Sequence, residues 1–162
     1  MKTKIFNLLA LICIACLLIS CPYFSEVAID NPNIKVDRNL LGKWISSDDL
    51  EKENPEYYEI NEHDEYRYDI LKYTYGDSTY SHNSYISHIT EVDGATFLNM
   101  SMDETGFYLY KIEMDEKSFT LYEITDNIDE KFTKSEELKE FIKKNKNLSF
   151  FYNKSEKKYI KQ

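Results

Sequence analysis

Cysteine, histidine and tyrosine are the side chains whose types and spacing could do chemistry in this sequence. Cys13 and Cys16 have the C-x-x-C spacing of redox and metal sites, but both fall inside an apolar N-terminal run. The third cysteine is Cys21. The histidines are His63, His82 and His88. His82 and His88 share a face of an extended segment, about 20 Å apart at roughly 3.3 Å per residue. That is too far for one ion, and no zinc-ligand spacing is present. No metal and no cofactor is expected. Ser81-His82 and Ser87-His88 set a nucleophile beside a base in sequence, yet strand neighbours point to opposite faces. There is no Gly-x-Ser-x-Gly elbow and no glycine-rich phosphate loop. Acid pairs such as Asp48-Asp49 fall in turns, and nothing selects a glycosidase pair. Catalysis is not expected.

Tyrosine is the remaining signal, with 14 copies. Tyr66, Tyr68, Tyr85, Tyr108, Tyr110 and Tyr122 fall on expected strands and are candidates to line an interior ligand site. A tyrosine ring offers apolar area with a polar tip, which suits an amphipathic ligand. The competing expectation is ordinary packing in the core and on the sheet surface.

The N-terminus has the three parts of an export signal. Lys2 and Lys4 precede an uncharged run from Ile5 to Ile19, and the small residue Ser20 stands before Cys21. The run is short for a spanning helix, which needs roughly 20 apolar residues. Leu18-Ile19-Ser20-Cys21 resembles the lipobox of bacterial lipoproteins. That resemblance implies cleavage before Cys21, a diacylglyceryl group on its thiol, and usually an acyl chain such as palmitate on the new amino terminus. Two or more chains anchor a protein stably where one does not. Pro22 follows the cysteine in place of the aspartate that retains many enterobacterial lipoproteins at the inner membrane. The periplasmic face of an outer membrane is therefore the expected location. Consumption of Cys21 by lipid leaves the exported body without a disulfide.

Charge narrows the partners. The chain carries −9, and loss of Lys2 and Lys4 takes it to −11. Such a body is unsuited to nucleic acid, whose binding requires cationic neutralisation of phosphates. Residues 1–20 are expected to be the signal, 21–37 a flexible lipid-anchored tether, and 38–162 one domain.

Most of that domain reads as strands. Trp44-Ile45 begins one after Gly42, and Tyr57, Tyr58 and Ile60 mark a second. Tyr66, Tyr68 and Ile70 alternate with polar residues, after which the apolar phase slips to Leu71, Tyr73 and Tyr75. A one-residue slip suggests a bulge. Residues 75–78 and Asp93-Gly94 are turns. Strands are expected over Thr79 to Ile89, Ala95 to Met102, Phe107 to Met114 and Phe119 to Ile124. One helix is expected near the C-terminus, with a Thr133/Glu136 capping box and an apolar stripe of Leu138, Phe141 and Ile142. Leu148 to Tyr152 reads as a last strand and Lys157 to Gln162 as a basic, frayed tail. The fold class is mainly β, a single antiparallel meander.

Gly42-Lys43-Trp44 at the first strand resembles the Gly-x-Trp opening of lipocalins. The resemblance implies a short helical turn just before the motif, a tryptophan plugging one barrel end, and an interior that can hold a ligand. Lipocalins also pack an arginine from the last strand over that tryptophan, but no arginine follows Arg67 here. Two functions are expected from these readings: a membrane-anchored binder of a small apolar or amphipathic ligand, or an envelope interaction or inhibitor protein with a filled barrel.

Overall fold

The computed structural model describes residues 23–103, 105–125, 127–153 and 156–162; the run expected to be an export signal, and Cys21, lie outside them. The strands are β1 (Phe24–Ser25), β2 (Gly42–Ser46), β3 (Tyr57–Glu62), β4 (Tyr68–Gly76), β5 (Thr79–Val92), β6 (Ala95–Ser101), β7 (Phe107–Met114), β8 (Ser118–Glu123) and β9 (Lys157–Lys161). A helix, α1 (Ser135–Asn145), lies between β8 and β9. From β2 to β8 each strand pairs antiparallel with the next. β9 pairs with both β8 and β2, closing a lipocalin-like barrel of eight strands. β1 adds to the part of β7 that β8 does not reach, with Phe24 opposite Tyr108.

Local chemistry sets the turns. Asp93 and Gly94 have φ of 46° and 74°, the two positive values that a tight hairpin needs to match strand twist. Asp77 and Ser78 adopt the same geometry, at 49° and 64°, without a glycine. Gly106 is required for a different reason. A β-carbon there would stand 2.5 Å from the Ser25 carbonyl oxygen, so β1 could not lie against β7.

Alternation divides the apolar residues between two cores. Trp44, Ile60, Ile70, Leu98, Ile112 and Phe119 belong to the cluster inside the barrel. Ile29, Phe97, Leu109, Ile124, Leu138 and Ile142 form a second cluster outside it, beneath α1 and the N-terminal segment. β6 and β7 contribute to both clusters, which is why their apolar residues run nearly without interruption.

The structure revises several expectations. Residues 23–37 are no free tether. Ile29 is completely buried, its N–H donates to Asn99 Oδ1 at 2.8 Å, and Tyr23 N–H donates to Ile124 O at 3.1 Å. The segment straps the outside of the barrel because Val27 and Ile29 complete the second core. β4 has no bulge, since its register is unbroken against both β3 and β5. The slip in phase marks a change of face: Tyr68 and Ile70 point inward, whereas Leu71, Tyr73 and Tyr75 point outward. The N-cap of α1 is Lys134, which makes no side-chain cap bond, so the Thr133 capping box does not form. Residues Ser149–Phe151 make a 3-10 turn, and only Tyr152 bridges to Ile124. The expected tail is β9. Only Tyr159 of that strand must face the core, so lysines can occupy the rest.

Candidate functional site

The antiparallel connections define two barrel ends. The lower end holds the β3–β4, β5–β6 and β7–β8 turns and the start of β2. The upper end holds the β2–β3, β4–β5 and β6–β7 connections, the end of β8 and β1, while α1 lies outside the wall with its C-terminal end beside the lower Asp93 turn.

At the lower end a 3-10 turn, Arg38–Leu40, precedes Gly42, and Asp37 caps it through a side-chain bond to Asn39 N–H. Trp44 is 2% exposed. Its indole N–H donates to Leu40 O at 2.8 Å, and its ring meets Phe119 with centroids 4.8 Å apart. The Lys161 ammonium lies 5.2 Å from the indole centre and donates to Asn39 O at 2.7 Å. A lysine from the closing strand thus lies over the indole, a contact hidden in the apparent tail.

Of the six tyrosines singled out from the sequence, strand parity turns Tyr68, Tyr85, Tyr108 and Tyr110 inward. Tyr58 and Tyr159, not among the six, join them on the inside, with ring centroids 5.0 Å apart. Tyr68 Oη accepts the Asp37 N–H at 2.8 Å, tying the 3-10 turn to the barrel. Burial pushes the hydroxyls of Tyr58, Tyr110 and Tyr159 well up, so they stay neutral. Two of the six lie elsewhere. Tyr66 is in the β3–β4 connection instead of a strand. Tyr122 points outward and donates to Glu113 at 2.9 Å; burial and then the Glu113 carboxylate push its hydroxyl up to about 12.

The barrel interior is full. The space among Leu40, Tyr58, Ile60, Leu98, Met100 and Phe119 measures about 10 Å³. That is the room of one water at most, against several hundred Å³ in usual ligand sites. Wider concavities are open surface clefts, one of about 130 Å³ beside Tyr23–Glu26 and two at the lower end. One of about 760 Å³ lies between the Arg38–Leu40 turn and the β7–β8 turn, and one of about 500 Å³ between Asp93–Thr96 and the end of β7.

The outer surface carries an aromatic group that the phase slip of β4 could have disclosed. β4 and β5 run past the barrel rim as an exposed two-stranded arm at the upper end. Tyr57 and Tyr73 stack at 4.6 Å, and Tyr80 meets both Tyr57 and Tyr75 edge-on. The Lys43 ammonium sits 3.8 Å from the Tyr57 ring centre.

The histidines are dispersed. His63 contacts Asp69 at 2.9 Å on the surface, and His82 leans on Tyr73. His88 is buried beneath the strap, its Nε2–H donating to Asp30 O at 2.8 Å. Burial lowers its pKa, with the Asp30 carbonyl opposing. The Asp30 carboxylate accepts from Lys139 of α1, which lowers the Asp30 pKa. Strap, sheet and helix are thereby joined. Among the described residues no three His, Cys, Asp or Glu side chains converge on a metal position. No helix among them is long and apolar enough to cross a membrane.

These features define a closed lipocalin-like barrel with a filled interior. Comparison with protein-family models, curated proteins and solved structures returned no match.

Proposed function

We propose that this protein is a lipoprotein of the bacterial cell envelope, anchored through lipid on Cys21, that works through its outer surface as an interaction or inhibitor module. The observation carrying this reading is the filled interior. A barrel of eight strands can hold either side chains or one small ligand, and here rings and aliphatic chains leave about 10 Å³. Small-molecule binding by Tyr68, Tyr85, Tyr108 or Tyr110 would require those rings to swing out of the core. The lipobox-like Leu18-Cys21 and the export-type run before it support the anchor. The acidic body makes another envelope protein a better partner than nucleic acid.

Native mass spectrometry of the protein extracted from its own membrane tests this. The expected mass is that of the chain beginning at Cys21 plus its acyl groups, with no further bound molecule. A stoichiometric small molecule that survives extraction would restore the ligand-binding reading. An unmodified Cys21 would remove the anchor.

A further inference from the structure

We infer that the upper end of the barrel docks directly on a lipid surface of neutral, zwitterionic headgroups, holding the domain in a fixed orientation with the Trp44 end away from the bilayer. The inference rests on the lipid anchor proposed above.

The first argument is the length of chain. Tyr23 is already fastened to the barrel, through its N–H to Ile124 O and its hydroxyl to Glu130 O. Only Pro22 separates it from Cys21. Two residues span about 7 Å at full extension, so acyl chains on Cys21 would enter the bilayer within that reach of Tyr23, whose neighbour Phe24 stands opposite Tyr108 near the upper start of β7. The strap consumes the residues that would otherwise serve as a leash.

The second argument is where the exposed apolar side chains lie. Phe24, Leu50, Tyr75, Tyr80, Met102 and Phe150 are all 37–73% exposed. Phe24 is in β1, Tyr75 and Tyr80 in the β4–β5 arm, Leu50 and Met102 in the β2–β3 and β6–β7 connections, and Phe150 in the 3-10 turn beside the end of β8. Phe150 is the most exposed, at 73%, and directly precedes Phe151, whose carbonyl accepts the Thr125 N–H and pins the turn beside the end of β8. Ile86, on the outward face of β5 opposite Ser101, Met114, at the lower end, and Leu148, next to the Asn147 that lines the lower cleft, fall outside this group. An amphipathic tyrosine belt with scattered large apolar residues is what a bilayer interface accepts. A short helix-free rim of this kind adds interfacial contact to an acyl anchor without spanning.

Charge selects the headgroup. In the β2–β3 connection that carries Leu50, Lys52 is outnumbered by the carboxylates Asp48, Asp49, Glu51, Glu53 and Glu56. They would be repelled by an anionic leaflet and tolerated by zwitterionic lipid.

The experiment uses the lipidated full-length product in vesicles. Loss of Cys13 and Cys16 with the signal leaves no free thiol, so Phe150→Cys, Tyr75→Cys and Glu116→Cys can each take a single polarity-sensitive dye. Glu116 lies in the β7–β8 turn at the lower end, and native Trp44 is a second reporter there. In phosphatidylcholine vesicles carrying a lipid-bound quencher, the dyes at positions 150 and 75 should be blue-shifted and quenched severalfold, while position 116 and Trp44 are unaffected. Anionic lipid should reduce the quenching at 150 and 75. A lipidated protein whose dyes at 150 and 75 stay as water-exposed as the one at 116 overturns the docking and leaves the anchor standing. Full quenching in anionic vesicles alone overturns the headgroup assignment. A mass showing unmodified Cys21 overturns the anchor and the docking together.

Discussion

The two apolar clusters of this protein are built from the same strands and held in different ways. The inner one is enclosed by a hydrogen-bonded ring, so no member can leave without opening a ladder. The outer one is covered by pieces attached at few points: the strap through Asn99 and His88, and α1 through Leu138, Ile142 and the Lys139–Asp30 pair. Equal burial therefore does not mean equal permanence. Local opening should draw on the outer cover long before the barrel.

Substitutions can break that comparison. Trp44→Ala should cost about 3–5 kcal/mol, and circular dichroism and fluorescence of a dye on the arm should report one coincident urea transition. Ile142→Ala should cost about 2–5 kcal/mol and behave differently. Hydrogen exchange should accelerate first at α1 and at the Ile29 amide, while β4 and β5 amides keep their protection. Simultaneous loss in all of them would show that the two cores are one cooperative unit.

Asn99→Ala sharpens the same contrast from the polar side. The side chain accepts from Ile29 and donates to Thr90 Oγ1 at 3.0 Å and to His88 O at 3.3 Å, all without solvent. Leaving those groups unpaired should cost about 1–3 kcal/mol, read as a lowered midpoint.

Acid should loosen the strap through His88. The folded protein keeps this ring neutral, below its ordinary pKa of 6.5, whereas the unfolded chain protonates near that value. The contribution is complete above pH 6.5 and is lost as pH falls from there through the folded pKa. His88→Gln should flatten the denaturation midpoint against pH in that interval. An unchanged slope would assign the acid sensitivity to carboxylates instead.

The smallest effect is a gain. Ser78 sits at φ 64° in the arm turn. Ser78→Gly removes the cost of a left-handed β-carbon, less the added freedom of glycine in the unfolded chain. Thermal unfolding should shift upward by the equivalent of about 0.5–1 kcal/mol.

Much of the barrel could be read from residue order. Gly42-Lys43-Trp44, the Asp93-Gly94 turn and the paired strands around residues 115–118 fall where alternation put them, because inward and outward residues there differ sharply in polarity. The misreadings share one physical source. β9 offers a single inward apolar residue between lysines, so its strand character comes from its neighbours on both sides. Val27 and Ile29 looked too sparse for structure, since their partners Phe97 and Leu109 lie far along the chain. In β4 the apolar residues change face without changing register, and a pattern rule equates the two. The interior was open to either reading, because whether large side chains meet at the centre depends on how tightly the ring closes.

Ring closure also has a consequence in time. β2 must wait for β9, with Trp44 opposite Lys161, before its second edge is covered. During vectorial synthesis the first strand of the barrel emerges earliest and its partner last. Until then the sheet from β2 to β8 has two bare edges, the condition in which strands recruit the wrong neighbours. Contacts so distant in sequence also form slowly. The barrel should therefore close only once the whole chain is available, so that truncation before Lys157 leaves both edges open.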